Sequence, residues 1–240
     1  MELRRFYIEK SMLNGSHVTI NGEEYHHMVK VLRYKNGYSF IACDGSGKDY
    51  YCKIINISAD EVLAEITDIA DNNTEAIIDI TLYLGAIKNE KLTIAIQKAI
   101  ELGVKNIVIF ESAHTSEKGI NFDRLNKIAV EAAKQCGRAQ APTIGELISF
   151  EKVIERRDGE LLIMAYEKEN SQTLPQLVKL LGKITRLGII IGSEGGFKKE
   201  EADMAQAKGI STFSLGRRIL RAETAAIIAA GYIIQELDIL

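Results

Sequence analysis

From Ile77 onward, short apolar runs alternate with longer amphipathic stretches, and this alternation restricts the fold of the 240-residue chain more than any other feature. The runs Ile77–Leu84, Ile107–Phe110, Leu161–Ala165, Leu187–Ile191 and Thr212–Leu215 read as strands. Lys91–Leu102, Phe122–Cys136, Lys198–Ala207 and Glu223–Leu237 read as helices. A strand with one wet face alternates apolar and polar side chains, whereas Leu187-Gly188-Ile189-Ile190-Ile191 is apolar throughout. Such a run is buried on both faces. The pattern therefore predicts an α/β domain whose parallel sheet is covered by helices on both sides.

Residues 1 to about 70 follow a different rule. Ser16–Ile20, Tyr38–Cys43, Tyr50–Ile57 and Glu61–Ile69 are short runs, punctuated by Asn21-Gly22, Asp44-Gly45-Ser46-Gly47 and Ser58-Ala59-Asp60. They predict a small antiparallel β-barrel, with a helical turn or two around Glu23–Leu32 plugging one end. The polar stretch Asp71–Thr74 reads as a linker, so the expected domains are 1–72 and 73–240.

Net charge is −3, so nothing in the bulk composition announces a nucleic-acid partner. Positive charge is local: Arg4-Arg5, Lys30 with Arg33 and Lys35, Lys134 with Arg138, and Arg217-Arg218 with Arg221. Each cluster reads equally well as solvated surface. Cys43, Cys52 and Cys136 are odd in number and form no CxxC, which suggests reduced thiols and neither a disulfide framework nor a zinc site. The longest apolar run, Ala225 to Ile234, is half of what a membrane span needs, and the opening Met1 to Phe6 has no apolar leader. A cytoplasmic protein without membrane or metal partners is expected.

In open parallel sheets, ligands bind where the chain leaves the C-terminal ends of strands. Two exits stand out: Ile189-Ile190-Ile191 into Gly192-Ser193-Glu194-Gly195-Gly196, and Phe213-Ser214-Leu215 into Gly216-Arg217-Arg218-Ile219-Leu220-Arg221. Spacing excludes several chemistries. Gly192 abuts Ser193, so there is no G-x-S-x-G elbow; Gly47-Lys48 lacks the rest of a P-loop. Neither H-E-x-x-H nor G-x-G-x-x-G occurs. What remains is a glycine-rich loop with a carboxylate, beside an arginine-rich loop that opens a very apolar helix.

Ile191–Phe197 followed by Leu215–Ala225 resembles the paired signature of the RsmE-type 16S ribosomal RNA uridine-N3 methyltransferases of the SPOUT superfamily. Ala95–Val104, Glu131–Arg138, and His26-His27 through Val31-Leu32-Arg33 resemble further motifs of that family, in order along essentially the whole chain. The family's usual loop has proline where this chain has Ser193; the GSEG form is similar to that of other SPOUT methyltransferases. The resemblance implies a PUA-like RNA-binding barrel, then an α/β domain tied in a trefoil knot. It also implies S-adenosylmethionine as cofactor, a homodimer, and a decoding-centre uridine of 16S rRNA in the small ribosomal subunit as substrate. Carried onto this chain, the cofactor sits among Ala165 and Tyr166, Gly192, Ser193, Glu194 and Gly195, and Leu215, Gly216, Ile219 and Leu220.

Uridine N3 carries a proton and is a poor nucleophile until that proton leaves, so a catalyst must favour the anion. Arg221 is the first candidate to stabilise it. It stands at the start of the last helix, where a cation opposes the helix dipole; the alternative is a brace to Glu223 or Glu194. Arg138 contacts substrate or caps a helix end. Glu194 and Glu223 orient ligands or cap helices. Arg4, Arg5, His27 and Arg33 are the candidates for RNA contact, against plain packing or solvation. The final helix is apolar on every face over Ala225–Ile234, which predicts burial all round and hence a second subunit. Three alternatives stay open: a SPOUT enzyme with another RNA target, a non-catalytic RNA-binding factor, and a metabolic enzyme holding a phosphate ester.

Overall fold

A computed structural model describes residues 3–237 apart from 116, 118, 157 and 158. The chain forms two compact units. One is the stretch through Glu75 together with Ala133–Ala141; the other is Ala76–Ala132 together with the chain from Pro142. Nothing in the local residue pattern announced that 133–141 would join the first unit.

The first unit holds β1 (Arg5–Tyr7), β2 (Leu13–Asn14), β3 (His17–Ile20), β4 (Ser39–Cys43), β5 (Lys48–Ile57) and β6 (Val62–Asp71). They make one six-stranded sheet in the order β1-β4-β5-β6-β3-β2. All neighbours are antiparallel except β1, which runs parallel to β4. Alternation puts Phe6, Val18, Ile20, Phe40, Cys52 and Ile54 into its core. β1 was not foreseen, because three residues are too few to show a period. The helical turns expected around Glu23–Leu32 are present: Gly22, at φ 63°, starts helix α1 (Gly22–Tyr25), which continues as a π-helical turn over His26–Val31, and β3 pairs with β6. Burial pushes the Cys43 thiol up to about 11 and the Cys52 thiol up to about 12, so both are protonated at neutral pH.

The second unit follows the predicted alternation: β7 (Asp79–Gly85), α2 (Asn89–Glu101), β8 (Asn106–Glu111), α3 (Phe122–Gln135), β9 (Thr143–Ser149), α4 (Phe150–Ile154), β10 (Leu161–Ala165), α5 (Leu174–Leu180), β11 (Arg186–Ile191), α6 (Lys199–Ala207), β12 (Ser211–Phe213) and α7 (Ala222–Leu237). The end of α3 counts with the first unit. The sheet order is β12-β10-β11-β7-β8-β9, parallel throughout. β7 is buried on both faces from Ile80 to Gly85, its one polar residue there, Thr81, included. β9, α4 and α5 were not anticipated. Gly145 and Glu146 interrupt the apolar run of β9, while α5 is announced only by its capping box, Thr173 with Gln176, and Pro175 in its first turn.

Within one chain, α7 is buried on one side only. Ala226, Ala229, Ala230 and Ile233 are fully buried, against α2 and strands β7 and β11, but Thr224 and Ile228 face outward, Ile228 at 50% exposure. Small residues let the helix lie close on the sheet. One face is thereby left open within a single chain. No helix among the described residues is long and apolar enough to cross a membrane.

Candidate active site

A cavity of about 310 Å³ opens at the C-terminal ends of the three neighbouring strands β12, β10 and β11. Its walls are three segments: Ala165-Tyr166-Glu167, Ile191 to Phe197, and Phe213 to Leu220, closed by Ala222 and Ala225 of α7. All ten residues expected to hold a cofactor (Ala165, Tyr166, Gly192, Ser193, Glu194, Gly195, Leu215, Gly216, Ile219 and Leu220) lie around it. Glu167, Phe197, Ser214, Arg217 and Arg218 line it too and were not among those ten. Their signal was continuity, since each sits inside or beside a segment already singled out.

The glycine loop is seated by close backbone approach. A Cβ on Gly85, at the end of β7, would fall 2.5 Å from the Ser193 backbone nitrogen. One on Gly195 would fall 2.6 Å from Cβ of His114, whose Nδ1 lies 2.9 Å from the Gly195 carbonyl oxygen. Only glycine fits at either position. Ser193 is buried; its hydroxyl donates to the His114 carbonyl at 3.3 Å, and its own carbonyl accepts the Gly196 N–H at 3.0 Å. These two bonds hold the loop at Ser193.

Glu194 does not cap the helix that follows it. Its Oε1 accepts from the Lys88 backbone N–H at 3.3 Å and from Lys91 Nζ at 3.2 Å, which places it at the start of α2. Burial alone would raise its pKa; hydrogen bonds from its own amide, Lys88 and Lys91 outweigh that and hold the carboxyl below the usual range. The start of α6 is served instead by Glu201, which accepts from Lys198 N–H at 2.8 Å and ties in Ala113 N–H at 2.9 Å.

The third wall folds back on itself: the Ser214 hydroxyl accepts the Gly216 N–H at 3.2 Å, and the Ser214 carbonyl accepts the Leu174 N–H at 3.0 Å. Arg217, Arg218 and Ile219 are exposed, Ile219 at 88%. Arg221 gives its carbonyl to the Ala225 N–H at 2.8 Å, so it is the N-cap of α7. Its side chain is exposed, directly follows the cavity wall without lining it, and carries no ion pair to Glu194 or Glu223. Glu223 is half-buried beside the cavity segment, and its Oε2 is buried with no hydrogen-bond partner.

Arg138 is elsewhere. It belongs to the first unit and is 3% exposed, with Nε and an Nη on the two Glu75 oxygens at 3.1 and 2.6 Å. Its backbone carbonyl accepts from the Tyr7 hydroxyl at 2.8 Å. Its charge is engaged within that unit. Arg5 is corrected in the same way: Asp49 accepts from it at 2.6 Å, and that bond, outweighing burial, keeps the guanidinium charged. Arg4 and Arg33 are exposed, and His27 is half-buried with its ring 6.0 Å from Phe6. Among the described residues no group of three or more His, Cys, Asp or Glu side chains is placed to hold a metal.

The chain matches the family model of an RNA methyltransferase domain over residues 74–234 and that of an RNA methyltransferase PUA domain over 20–72. It is 31% identical to ribosomal RNA small subunit methyltransferase E of Bacillus subtilis, covering 99% of this chain and 98% of that one. With the enzyme of the same description from Rickettsia conorii it shares 30% identity, covering 95% and 94%. The structure of a putative methyltransferase from Legionella pneumophila in complex with bound S-adenosylmethionine superposes with a TM-score of 0.86 at 26% identity, covering 98% of each chain.

Proposed function

The chain belongs to the ribosomal RNA small subunit methyltransferase E family, and on that premise we propose that it transfers the methyl group of S-adenosylmethionine to N3 of a decoding-centre uridine in 16S rRNA. The observation that carries this reading is the meeting of three strand exits around one cavity, with an uncommitted arginine at its rim. A volume of about 310 Å³ falls in the range of small-molecule sites. Ile191, Phe213, Leu215 and Leu220 supply apolar walls for a purine, while Glu167 and Ser214 supply acceptors for hydroxyl or ammonium groups. S-adenosylmethionine, when bound there, supplies an electrophilic methyl group.

The chain's part is to hold the uracil ring against that methyl and to make the N3 anion accessible. Arg221 takes this second role: an exposed guanidinium at the cavity rim stabilises charge developing on O2 or O4. Glu223, the second residue of α7 with an unpartnered buried oxygen, receives the proton. The path supports a trefoil knot as well. After β11 the chain passes to β12, on the far side of β10, and α7 then returns to β11 and β7. The outward Ile228, with Ile219, supports a homodimer in which a second copy covers them. Sedimentation at twice the chain mass is expected. A ribosomal substrate places the activity in the cytoplasm.

Primer extension across 16S rRNA from cells lacking the protein tests the assignment. The reverse-transcriptase stop at the decoding-centre uridine should vanish and return when purified chain and S-adenosylmethionine are added to isolated small subunits. An intact stop, with methyl incorporated at another position, would assign a different RNA target.

A further inference from the structure

Four aromatic rings of the first unit form a ladder from its core to its surface. Phe40 and Phe6 are buried with centroids 5.5 Å apart, Tyr34 meets Phe6 edge-on at 5.9 Å, and Tyr38 meets Tyr34 at 5.5 Å. The outermost ring, Tyr38, is 49% exposed, and Val31 on the preceding turn is 59% exposed. The inner rings hold Tyr34, and the backbone holds Tyr38. Its N–H donates to the Lys35 carbonyl at 3.1 Å and its carbonyl accepts the Ile54 N–H at 2.9 Å. Arg33, just before Tyr34, has φ 57°, a left-handed conformation that costs a non-glycine residue about 1–3 kcal/mol. That strain directs the Tyr34 N–H to the Met28 carbonyl at 3.0 Å. An exposed ring held this firmly is a prepared surface, not a loose side chain.

Charge at the same place has one sign. From Tyr25 to Cys43 there is no acidic residue, while Lys30, Arg33 and Lys35 are all exposed cations, in a chain whose net charge is −3. Glu24, just before this stretch, is bound to Lys134 at 2.6 Å. Arg4, exposed and two residues before Phe6 of the ladder, adds a further cation. A polyanion with open planar faces satisfies both features. A duplex offers phosphates without faces, and an acidic peptide offers charge without needing the ring.

We propose that Tyr38, backed by Tyr34, is a stacking platform for an unpaired nucleotide of the RNA, with Arg4, Lys30, Arg33 and Lys35 taking the phosphates beside it. This rests on the RNA-methyltransferase reading above and adds the strandedness of the RNA at this surface.

Fluorescence anisotropy of the full chain, with a mixed-sequence single-stranded RNA of about 12 nucleotides and with the same strand in a duplex, tests the platform. The single strand should bind more tightly than the duplex. Tyr38→Ala should weaken it about tenfold, and Tyr38→Phe should stay within about twofold of the unaltered chain. Arg33→Ala should reduce the slope of log affinity against log salt by about one, whereas Tyr38→Ala should leave that slope unchanged. A single strand bound no better than the duplex, or no loss with Tyr38→Ala, overturns the platform. So does equal loss with Ala and Phe, which would assign the contact to the hydroxyl. Methyl transfer by the unaltered chain separates the two readings: the platform can fail while transfer persists, and absent transfer sinks the enzymatic reading whatever the anisotropy shows.

Discussion

Arginine is used in opposite ways at two places, one in each unit. In the first, Arg138 is buried against Glu75 and Arg5 is half-buried against Asp49, each guanidinium meeting a carboxylate head-on. In the second, Arg217, Arg218 and Arg221 stand exposed on one loop beside a cavity. A buried pair has given up water on both partners, so removing one leaves an uncompensated charge, and the pair is read as framework. An exposed arginine adds little to stability, and at a helix start it opposes the dipole. The function proposed above gives it a ligand to face.

The contrast is broken if the two kinds of arginine respond alike to truncation. The largest effect is expected for Arg138→Ala, which strands Glu75: urea denaturation should show a loss of about 3–5 kcal/mol. Arg221→Ala should unfold within about 0.5 kcal/mol of the unaltered chain. Methyl transfer to small subunits should nonetheless fall about 100- to 1000-fold, with calorimetric affinity for S-adenosylmethionine nearly unchanged. Retained turnover would make Arg221 ornamental. Gly85→Ala sharpens the comparison from the backbone side. Its Cβ meets the Ser193 nitrogen at 2.5 Å and the Gly192 carbonyl carbon at 2.9 Å, neither of which can swing away. A loss of about 1–3 kcal/mol and weaker cofactor binding should appear together.

The smallest effect concerns acid. Glu169, on the loop after β10, accepts from the Ser171 hydroxyl and amide and from the Thr212 hydroxyl, and these bonds hold its pKa at about 2 against an ordinary 4.5. A depressed carboxylate contributes stability that is fully present above its unfolded pKa and is lost as pH falls through the folded one. Its share therefore disappears between about 4.5 and about 2, and Glu169→Gln, which does not titrate, should show a shallower acid limb. Asp49 points the same way in the first unit: Arg5 and Asn72 outweigh the burial that would raise its pKa.

Much of this was legible in the sequence because the signals were local. Ile189-Ile190-Ile191 running into Gly192 names a buried strand and its exit within a few residues, and two of the three cavity walls are the strand exits singled out, while the third, at Ala165-Tyr166, was implied only by the family resemblance. What escaped was long-range. Arg5 lies 44 residues from Asp49 and Arg138 lies 63 from Glu75, so nothing beside either arginine marks it as paired. Glu194 likewise turned out to serve α2, more than a hundred residues upstream. β9 escaped for a local reason: Gly145 and Glu146 dilute its apolar signal below that of a buried strand.

The claim of the first unit on residues 133–141 has a consequence in time. On a translating ribosome, Glu75 emerges 63 residues before Arg138, and Asn72 emerges 65 residues before the Gly137 carbonyl to which it donates. At about 5–20 residues per second, roughly 3–12 seconds pass in which the sheet exists without its partner segment. The N-terminal portion of this protein is therefore born incomplete. Its final consolidation waits for the middle of the chain, and a fragment ending at residue 75 should be far less resistant to protease than the same residues in the whole molecule.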